Sequence, residues 1–483
     1  LVLSSNVGFT GALLEPPTGK IIDDAENYLT AGIPFEHVRH FNRYKTPAEF
    51  KEKTLGFIQY GKGRVAIMKY GLQRNEFITP SVPCERKDYE YYQSLAIKAI
   101  LWAAGKEPDI YLSAITVPTP GIDRADLESS SVSLKLKSQR AAETELAIHM
   151  TVRDRAGRVE WDVVKQERVA PGTSITAFKL PKLKAGVHFA DFIVSANGKT
   201  VDWGSRGFTV DSALRVRRIK LKRRVYQKGD VIEGTVTLTQ PAPDTRIILE
   251  TTDTHARVIE RLTLRPGAAE KKTSFKFTLR EPVSILHTVR AVLYEDDGAT
   301  LGRADGIVSE AQTEFSVPTK DWSDFMLISW EFPYQSYLGK IAYGILAEAG
   351  VDAIMPTEAR KSVIRSLAEN NLQLAHYTGS YRFWAKPDEL VRTPCLSDPQ
   401  YLKTRAAAVK RNARQAIRYS PPVGYSVGND CGLSRTDVNL CFSVHCRKDF
   451  QRYLQAVYGD ITKLNSEWDG DYRNWDEVEP MSL

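Results

Sequence analysis

The chain lacks any stretch approaching the roughly 18 to 20 consecutive apolar residues that a membrane helix needs, and no basic and apolar signal segment opens it. We therefore predict no membrane span. Cysteine is also scarce, with five residues in 483. Four of them, Cys395, Cys431, Cys441 and Cys446, lie close together in the sequence. A clustered, odd set favours a local metal site or bridge over the disulfide framework of a small secreted protein.

What the chain does contain is enough apolar material for several cores, with 42% hydrophobic, 10% aromatic and 26% charged residues. These values exclude a disordered or collagen-like chain, and 483 residues exceed what a single core usually holds. The formal net charge of +7 comes from 66 Lys and Arg against 59 Asp and Glu. This excess is too small for a dedicated nucleic-acid binder, although it permits an acidic ligand.

Hydrophobic patterning divides the chain into four predicted domains, so the expected fold class is multidomain α/β plus all-β. Residues 1–108 mix strands with an amphipathic helix over 88–105, which is typical of an α/β layered domain. Residues 109–211 and 212–318 show short alternating runs between turn residues, which predicts two β-sandwiches. Strands and helices alternate over 319–483, which predicts a parallel sheet, either doubly wound or part of a TIM (β/α)8 barrel.

The strand that opens the second predicted sandwich, residues 214–225, is strongly basic. Its cations could face a polyanion. The alternative is a strand with a solvated basic face and with Val216, Ile219 and Leu221 towards the core, and we favour this second interpretation. The basic residues of the strand are Arg215, Arg217, Arg218, Lys220, Lys222, Arg223 and Arg224.

The carboxyl ends of the predicted parallel strands are the natural place for a ligand. Trp330 and Glu331 stand at one such end, and Tyr381 and Trp384 belong to an aromatic-rich segment after another. Aromatic rings beside carboxylates suit a sugar site, because pyranose faces stack on rings while the hydroxyls need fixed polar partners. Rings of this kind are equally common as the packing of a lid.

A serine hydrolase is an alternative function. Gly424-x-Ser426-x-Gly428 follows a predicted strand and matches the nucleophile elbow of that class. The triad's His should follow the Ser, and His445 is the one His that does so in this sequence. Because the residues after Gly428 make a poor helix start, we rank this interpretation below a sugar site.

A resemblance to a known family is carried by residues 392–478. Its parts are Arg392-Thr-Pro-Cys-Leu-Ser-Asp-Pro-Gln-Tyr401, a strand ending in Asn429-Asp430, Cys441-Phe-Ser-Val-His-Cys446 and Trp475-Asp-Glu-Val478. In order and spacing they resemble glycoside hydrolase family 42, the β-galactosidase type.

The family 42 resemblance implies that residues 319–483 are the first half of a TIM barrel. The helix that ends in Ile100-Leu-Trp-Ala-Ala-Gly105 similarly resembles the amidotransferase-like domain that accompanies such barrels. Here this domain precedes the barrel, and we expect it to be truncated. The expected order is an amidotransferase-like α/β domain, two β-sandwiches and a partial barrel.

The resemblance also implies which residues act. Asn429 matches the Asn that binds a sugar hydroxyl, and Arg392 falls within one position of an Arg that contacts the sugar. Asp430 stands where the family has its acid and base Glu, so its carboxyl is set back by one methylene, about 1.5 Å. The protein could have a backbone that suits Asp, be a weakened enzyme, or only bind glycans. We favour the first, because a protonated Asp can also donate to a leaving oxygen.

The implied reaction is hydrolysis of a β-linked galactoside-like oligo- or polysaccharide by two carboxylates, with retention. We expect the nucleophile on a seventh strand, which residues 1–483 do not include. The alternative is a non-catalytic glycan-binding protein on the same scaffold. The resemblance implies carbohydrate as the partner. We also expect an extracellular or periplasmic location and leave a homo-oligomer open.

No cofactor is required for such a reaction, but some family members hold a structural zinc. Cys395, Cys441 and Cys446 match its ligands, Ser443 replaces another, and Cys431 could complete the set. Tetrahedral thiolate zinc needs four ligands. Free thiols, or a bridge such as Cys395 to Cys446, are therefore the favoured alternatives to zinc.

Overall fold

The chain forms a mainly β protein with several sheets and a smaller number of helices. Its structure is a computed structural model, which describes residues 2–4, 20–21, 28–34, 55–60, 62–68, 86–118, 121–295, 306–318, 325–330, 337–356, 361–377, 384–386, 390–417, 419, 421–426 and 441–480.

A small mixed sheet and one long helix make up the amino-terminal part. The sheet has the order β1-β4-β3-β2, in which only the β1 and β4 pair is parallel among the described strands. Helix α1 buries Tyr91, Leu95 and Trp102, as their spacing predicts. An amidotransferase-like domain stays a prediction. The elements are β1 Val2–Ser4, β2 Lys20–Ile21, β3 Leu55–Tyr60, β4 Gly63–Met68 and α1 Arg86–Ala103.

The next strands form a β-sandwich of two sheets, ordered β10-β7-β5 and β6-β12-β11-β8-β9. Alternate residues of β8, such as Leu146, Ile148 and Met150, are fully buried between the sheets. The strands are β5 Ile110–Thr116, β6 Ile122–Asp123, β7 Ser131–Ser138, β8 Thr144–Asp154, β9 Val159–Val169, β10 Gly172–Lys179, β11 Gly186–Ala196 and β12 Lys199–Asp211.

A second sandwich follows, with sheets ordered β13-β14-β17 and β16-β15-β18-β19. Val216 and Ile219 of the basic strand point into its core, as predicted. Its strands are β13 Val216–Leu221, β14 Val231–Leu238, β15 Thr245–Asp253, β16 Val258–Leu264, β17 Lys272–Thr278, β18 Leu286–Glu295 and β19 Ile307–Ser316.

The carboxyl-terminal part contains a parallel sheet in the order β20-β21-β22-β25. Helices follow three of its strands, and an antiparallel hairpin, β23 with β24, precedes α4. The elements are β20 Ile328–Trp330, α2 Tyr337–Glu348, β21 Ala353–Met355, α3 Lys361–Glu369, β22 Gln373–Tyr377, β23 Trp384–Lys386, β24 Val391–Thr393, α4 Pro399–Ala416, β25 Gly424–Ser426, α5 Val444–Tyr458 and α6 Ile461–Trp468.

The chain divides into two compact units. One comprises residues 1–318 with 333–346 and 369–371, and the other comprises 319–332, 347–368 and 372–483. The four domain boundaries expected from the sequence stay a prediction. None of the described helices is long and apolar enough to cross a membrane.

Buried ion pairs join parts of the first unit. Lys98 of α1 donates from Nζ to Asp202 of β12 across 2.8 Å, and both side chains are fully buried. Lys184 lies between the sandwiches, with its Nζ 2.7 Å from Asp154 and 3.1 Å from Glu310. Since Asp154 belongs to β8 and Glu310 to β19, this lysine joins the two sandwiches.

Candidate active site

The carboxyl edge of the parallel sheet brings side chains from separate strands together. Trp330 pairs with Met355 in register, and Tyr377 pairs with Ser426. Because Ile354 pairs with Leu374, the alternation of side chains puts the four edge residues on one face. We call the surface formed by these four residues, at the carboxyl ends of their strands, the candidate ligand-binding edge.

Two aromatic rings meet at this edge. The ring centroids of Trp330 and Tyr377 lie 5.7 Å apart at an angle of 61°, and Trp330 is 46% exposed. The exposed ring can stack on an apolar sugar face while Tyr377 fixes its orientation. Sequence reasoning named Trp330 as a site residue. It placed Tyr377 at a strand end in the aromatic-rich segment without naming it as a contact, and Tyr377 is the last residue of β22.

Several predicted site residues lie outside the described part of the chain. These are Glu331, Tyr381, Asn429, Asp430 and Cys431. Asn429 and Asp430 follow the last residue of β25 by three and four positions in the sequence. Their assignment to the carboxyl edge stays a prediction.

The hairpin before α4 holds two other predicted contacts. Trp384 begins β23 and pairs with Thr393, but its side chain is outside the described part. Arg392 of β24 is described and is buried, with 7% exposure. Its backbone N–H donates to the sulfur of Cys441 across 3.4 Å. The role of Arg392 as a sugar contact stays a prediction.

Three of the predicted metal ligands do come together. The sulfur atoms of Cys395, Cys441 and Cys446 lie within 4.8 Å of one another, and all three are free thiols. The Cys395 and Cys446 sulfurs are 3.4 Å apart, well beyond the roughly 2.05 Å of a disulfide. Ser443, which replaces a family ligand, places its Oγ 2.9 Å from the Cys395 sulfur. We call this group the thiol cluster.

Local capping explains why the thiol cluster forms. Ser443 is the N-cap of α5, and its hydroxyl accepts from the backbone N–H of Cys446 across 3.1 Å. Burial raises the pKa of the Cys441 thiol, but hydrogen bonds from Ser443 and from the Arg392 backbone outweigh it, so the pKa falls to about 7. Burial raises the pKa of Cys446. A thiolate, the form that binds metals, is therefore accessible near neutral pH at Cys441.

The groups of the serine hydrolase alternative are only partly described. Ser426 ends β25, and Gly428 lies outside the described part. His445 has its Nε2 3.9 Å from Asp398, whose carboxylate caps α4 by accepting from Gln400. His445 therefore lies near the amino-terminal end of α4. A catalytic triad of Ser426, His445 and an acid stays a prediction.

Comparison with known families accounts for the carboxyl-terminal part of the chain. Residues 389–482 match the family described as beta-galactosidase, glycoside hydrolase family 42. This segment is similar to glycoside hydrolase family 42. The resemblance seen in the sequence is thereby confirmed for the part that contains β24, the thiol cluster and β25.

A curated protein is similar to part of the chain. The chain is 28% identical over 89 residues to Beta-galactosidase LacZ of Heyndrickxia coagulans. The match covers 17% of this chain and 13% of that protein.

Two solved structures show weak structural similarity to this chain. Red sea bream transglutaminase shows 14% identity and a TM-score of 0.22, with 56% of this chain and 42% of that chain covered. The FMN-binding beta-glucuronidase from Facaelibacterium prausnitzii L2-6 shows 10% identity and a TM-score of 0.26, with 68% and 55% covered. TM-scores this low carry no argument for fold or function.

Proposed function

We propose that the protein is a glycosidase that hydrolyses a β-linked galactoside-like oligo- or polysaccharide with retention. The observation that carries the proposal is the family 42 match over residues 389–482. It includes β25, the strand after which Asn429 and Asp430 follow. The aromatic pair at the same sheet edge, Trp330 with Tyr377, supports a sugar ligand.

In this mechanism Asp430 is the general acid and Asn429 binds the neighbouring hydroxyl. A protonated Asp430 would donate its proton to the glycosidic oxygen as the bond to the anomeric carbon breaks. A second carboxylate would attack that carbon, and Asp430 would then take a proton from the incoming water. The proposal includes a TIM-barrel arrangement for residues 319–483 and an amidotransferase-like amino-terminal domain.

The test of Asp430 uses the protein at its native length and aryl β-galactosides whose leaving groups differ in acidity. We expect Asp430→Asn to slow cleavage of a poorly acidic leaving group by about a hundredfold or more. A nitrophenolate leaving group needs little protonation, so bond breaking should be much less affected. Asp469→Asn is the matched control, because Asp469 is an exposed helix cap that Asn suits. Equal rates for Asp430→Asn and the unchanged protein would refute the assigned role.

A glycan-binding protein is the second candidate, and the observation that favours it is Asp430 in the place of Glu. The longer Asp430→Glu side chain separates the two. If the protein is a weakened or lapsed enzyme, this variant should gain turnover, whereas an enzyme adapted to Asp should lose it. Galactoside binding by calorimetry without turnover in either form would support the binding protein.

We further propose that the thiol cluster holds a structural zinc. A tetrahedral site with Zn–S bonds of about 2.3 Å spaces its sulfurs about 3.8 Å apart, which is compatible with thiols within 4.8 Å. Cys395, Cys441 and Cys446 would supply three ligands, and Cys431 or Ser443 the fourth. Bound zinc would brace the chain between β24 and α5.

Metal content tests the zinc proposal directly. We expect elemental analysis to find about one zinc per chain, and Cys441→Ser to lose it together with thermal stability. Cys84→Ser, which removes a cysteine remote in sequence from the cluster, is the control and should retain zinc. Ser443→Cys should hold zinc more tightly against a chelator. A purified protein without zinc would contradict the proposal.

A further inference from the structure

We propose that the outer face of the sheet β13-β14-β17 binds a linear polysaccharide that carries sulfate or carboxylate groups. The basic face is defined by the exposed cations of the two outer strands of this sheet. They are Arg218, Lys220 and Lys222 from β13 and its end, and Lys272 and Lys276 from β17.

Strand register turns these cations into two parallel rows. Lys220 pairs with Thr235 of the central strand, and Thr235 pairs with Ser274. Since side chains alternate, residues two apart on each strand share this face. The cations of β13 are therefore about 6.8 Å apart along their strand, whereas Lys272 and Lys276 of β17 are about 13.6 Å apart, and the rows lie about 10 Å apart across β14. The hydroxyl of Thr235 on β14 lies between the cationic rows, and that of Ser274 lies between Lys272 and Lys276 on β17.

The space between the rows is open to a ligand. A depression of about 580 Å³ is lined by the polar residues Lys220, Lys222, Lys276, Glu233, Thr235 and Ser274, together with Leu221, Gly234 and the buried Phe275. It contains hydrogen-bonding hydroxyls and ammonium groups together. A sugar chain presents both hydroxyls and, where sulfated or carboxylated, anions, so the two kinds of group match.

The protein itself leaves most of this charge uncompensated. Lys222 donates to Glu233 across 3.0 Å, with side chains 71% and 47% exposed. Among the described residues, Lys220, Lys272 and Lys276 have no ion pair. Five cations against Glu233 leave an excess of four positive charges on the face. Exposed charges this close together repel one another, and a polyanion relieves that repulsion.

The chemistry of the face favours a glycan over a single-stranded nucleic acid. Single-strand binders stack bases on aromatic rings, and the described outward residues of β13, β14 and β17 include no aromatic side chain. Phe275 and Phe277 are buried on the opposite side. Contacts on this face are therefore ionic and hydrogen-bonding, which suits anionic sugars.

The corresponding sheet of the first sandwich shows that such a face is not a requirement of the fold. In β10-β7-β5, the outward residues of β10 include Ile175, which is 69% exposed, together with Ala177. Lys135 and Lys137 of β7 share the outer face with Lys179 of β10, so this sheet has one short row of cations with a single lysine beside it. The same architecture thus carries a mixed surface in one domain and a basic one in the other.

The experiment measures binding of the whole chain to dextran sulfate, with uncharged dextran as the neutral probe. We expect binding to dextran sulfate that weakens as salt rises, and none to dextran. Lys220→Gln with Lys276→Gln should weaken binding about fivefold at low salt, since each removed exposed ion pair has a modest effect. Thermal unfolding of the variant should be unchanged.

Two further variants make the assignment specific. Lys137→Gln with Lys179→Gln removes the same charge from the first sandwich and should leave affinity within twofold, by the same modest cost of exposed pairs. Glu233→Gln removes the acidic residue of the face and should tighten binding about twofold. Equal losses from both lysine pairs, or no gain from Glu233→Gln, would overturn the proposal.

A nucleic-acid probe decides the class of ligand. If oligo-dT binds as tightly as dextran sulfate and loses as much affinity in Lys220→Gln with Lys276→Gln, the glycan assignment is wrong. Binding is measured without turnover, so the result does not depend on the proposed glycosidase activity.

Discussion

The contact of the first β-sandwich with α1 and the basic face of the second sandwich use charged residues in opposite ways. The first contact is made by ions removed from water, Lys98 with Asp202, where both side chains are fully buried. The basic face leaves its cations in solvent, and its pair of Lys222 with Glu233 is 71% and 47% exposed. The same residue types thus stabilise a domain contact in one place and are free for a ligand in the other. Burial, not residue type, decides between these roles.

Each sandwich also contains a group whose pKa is shifted strongly, and the physical cause differs between the two groups. The first sandwich depends on carboxylates held ionised, because hydrogen bonds from Lys184 and its charge outweigh burial and lower the pKa of Asp154 to about 2. The second buries His287, whose pKa burial lowers to about 4. One sandwich therefore contains a group that resists protonation by pairing, and the other a group that resists it by exclusion of water.

Removing one partner of the buried pair should have the largest effect. In Lys98→Met, the buried Asp202 loses its cationic partner. Its carboxyl must then either stay ionised without a partner or take up a proton, and burial already raises its pKa. We expect a loss of about 3 to 5 kcal/mol in the free energy of unfolding, measured by urea denaturation with tryptophan fluorescence. Adding Asp202→Asn keeps an oxygen for the Leu112 N–H and should recover most of the loss. A loss below about 1 kcal/mol would show that water reaches the pair.

The second-largest effect tests the buried histidine of the second sandwich. His287 is fully buried and stacks on Phe315 at 4.9 Å. In the unfolded chain its pKa is about 6.5, so as pH falls the unfolded state takes up a proton before the folded state does. Stability present above pH 6.5 should fall by about 3 kcal/mol as pH approaches 4.

The measurement for His287 is urea unfolding between pH 7 and pH 4. His287→Leu should flatten the curve in this range, whereas His149→Gln, at an exposed His, should retain the fall. Parallel curves for the unchanged protein and His287→Leu would contradict the assignment.

The sequence predicted the helix that carries Lys98 but not the buried ion pair that Lys98 forms. Helix α1 was predicted over 88–105 from the spacing of Tyr91, Leu95 and Trp102, and it spans Arg86–Ala103. Lys98 lies on the same face as Leu95, and that misplaced charge was the signal of a buried partner. The partner, Asp202, is 104 residues away in the sequence, and no local pattern specifies a pairing over that separation.

In the candidate site, too, some features could be predicted from the sequence and others could not. The thiol cluster followed from the family 42 resemblance, because its cysteines lie in the matched segment. The contact of Trp330 with Tyr377 did not, since it depends on how far two strands extend on either side of β21. Sequence patterns locate residues along strands, whereas strand register decides which of them meet.

A third, smaller effect is expected at Asp154, which joins the sandwiches through Lys184 across 2.7 Å. Its pKa falls from 3.8 in its ordinary state to about 2 on folding, so its contribution is present above pH 3.8 and is lost as pH falls towards 2. After allowance for solvent screening, that contribution is about 1 to 2 kcal/mol.

Asp154→Asn should therefore be less stable than the unchanged protein at pH 7, with the difference shrinking below pH 3.8. Glu145→Gln, at an exposed carboxylate of β8, is the control and should match the unchanged protein throughout this range. A difference that is constant from pH 7 to pH 2 would show that the Asp154 carboxylate makes no ionic contribution.

The smallest effect on stability should come from the second sandwich's exposed pair. Lys222→Gln removes an ion pair between side chains that remain largely in water, so we expect a change below about 0.5 kcal/mol in the free energy of unfolding. The same variant should weaken dextran sulfate binding, because Lys222 lines the depression on the basic face. A large loss of stability would place Lys222 with the buried ions of the first sandwich. Unchanged stability with weaker polyanion binding would show that the exposed cations of the second sandwich serve a ligand and not the fold.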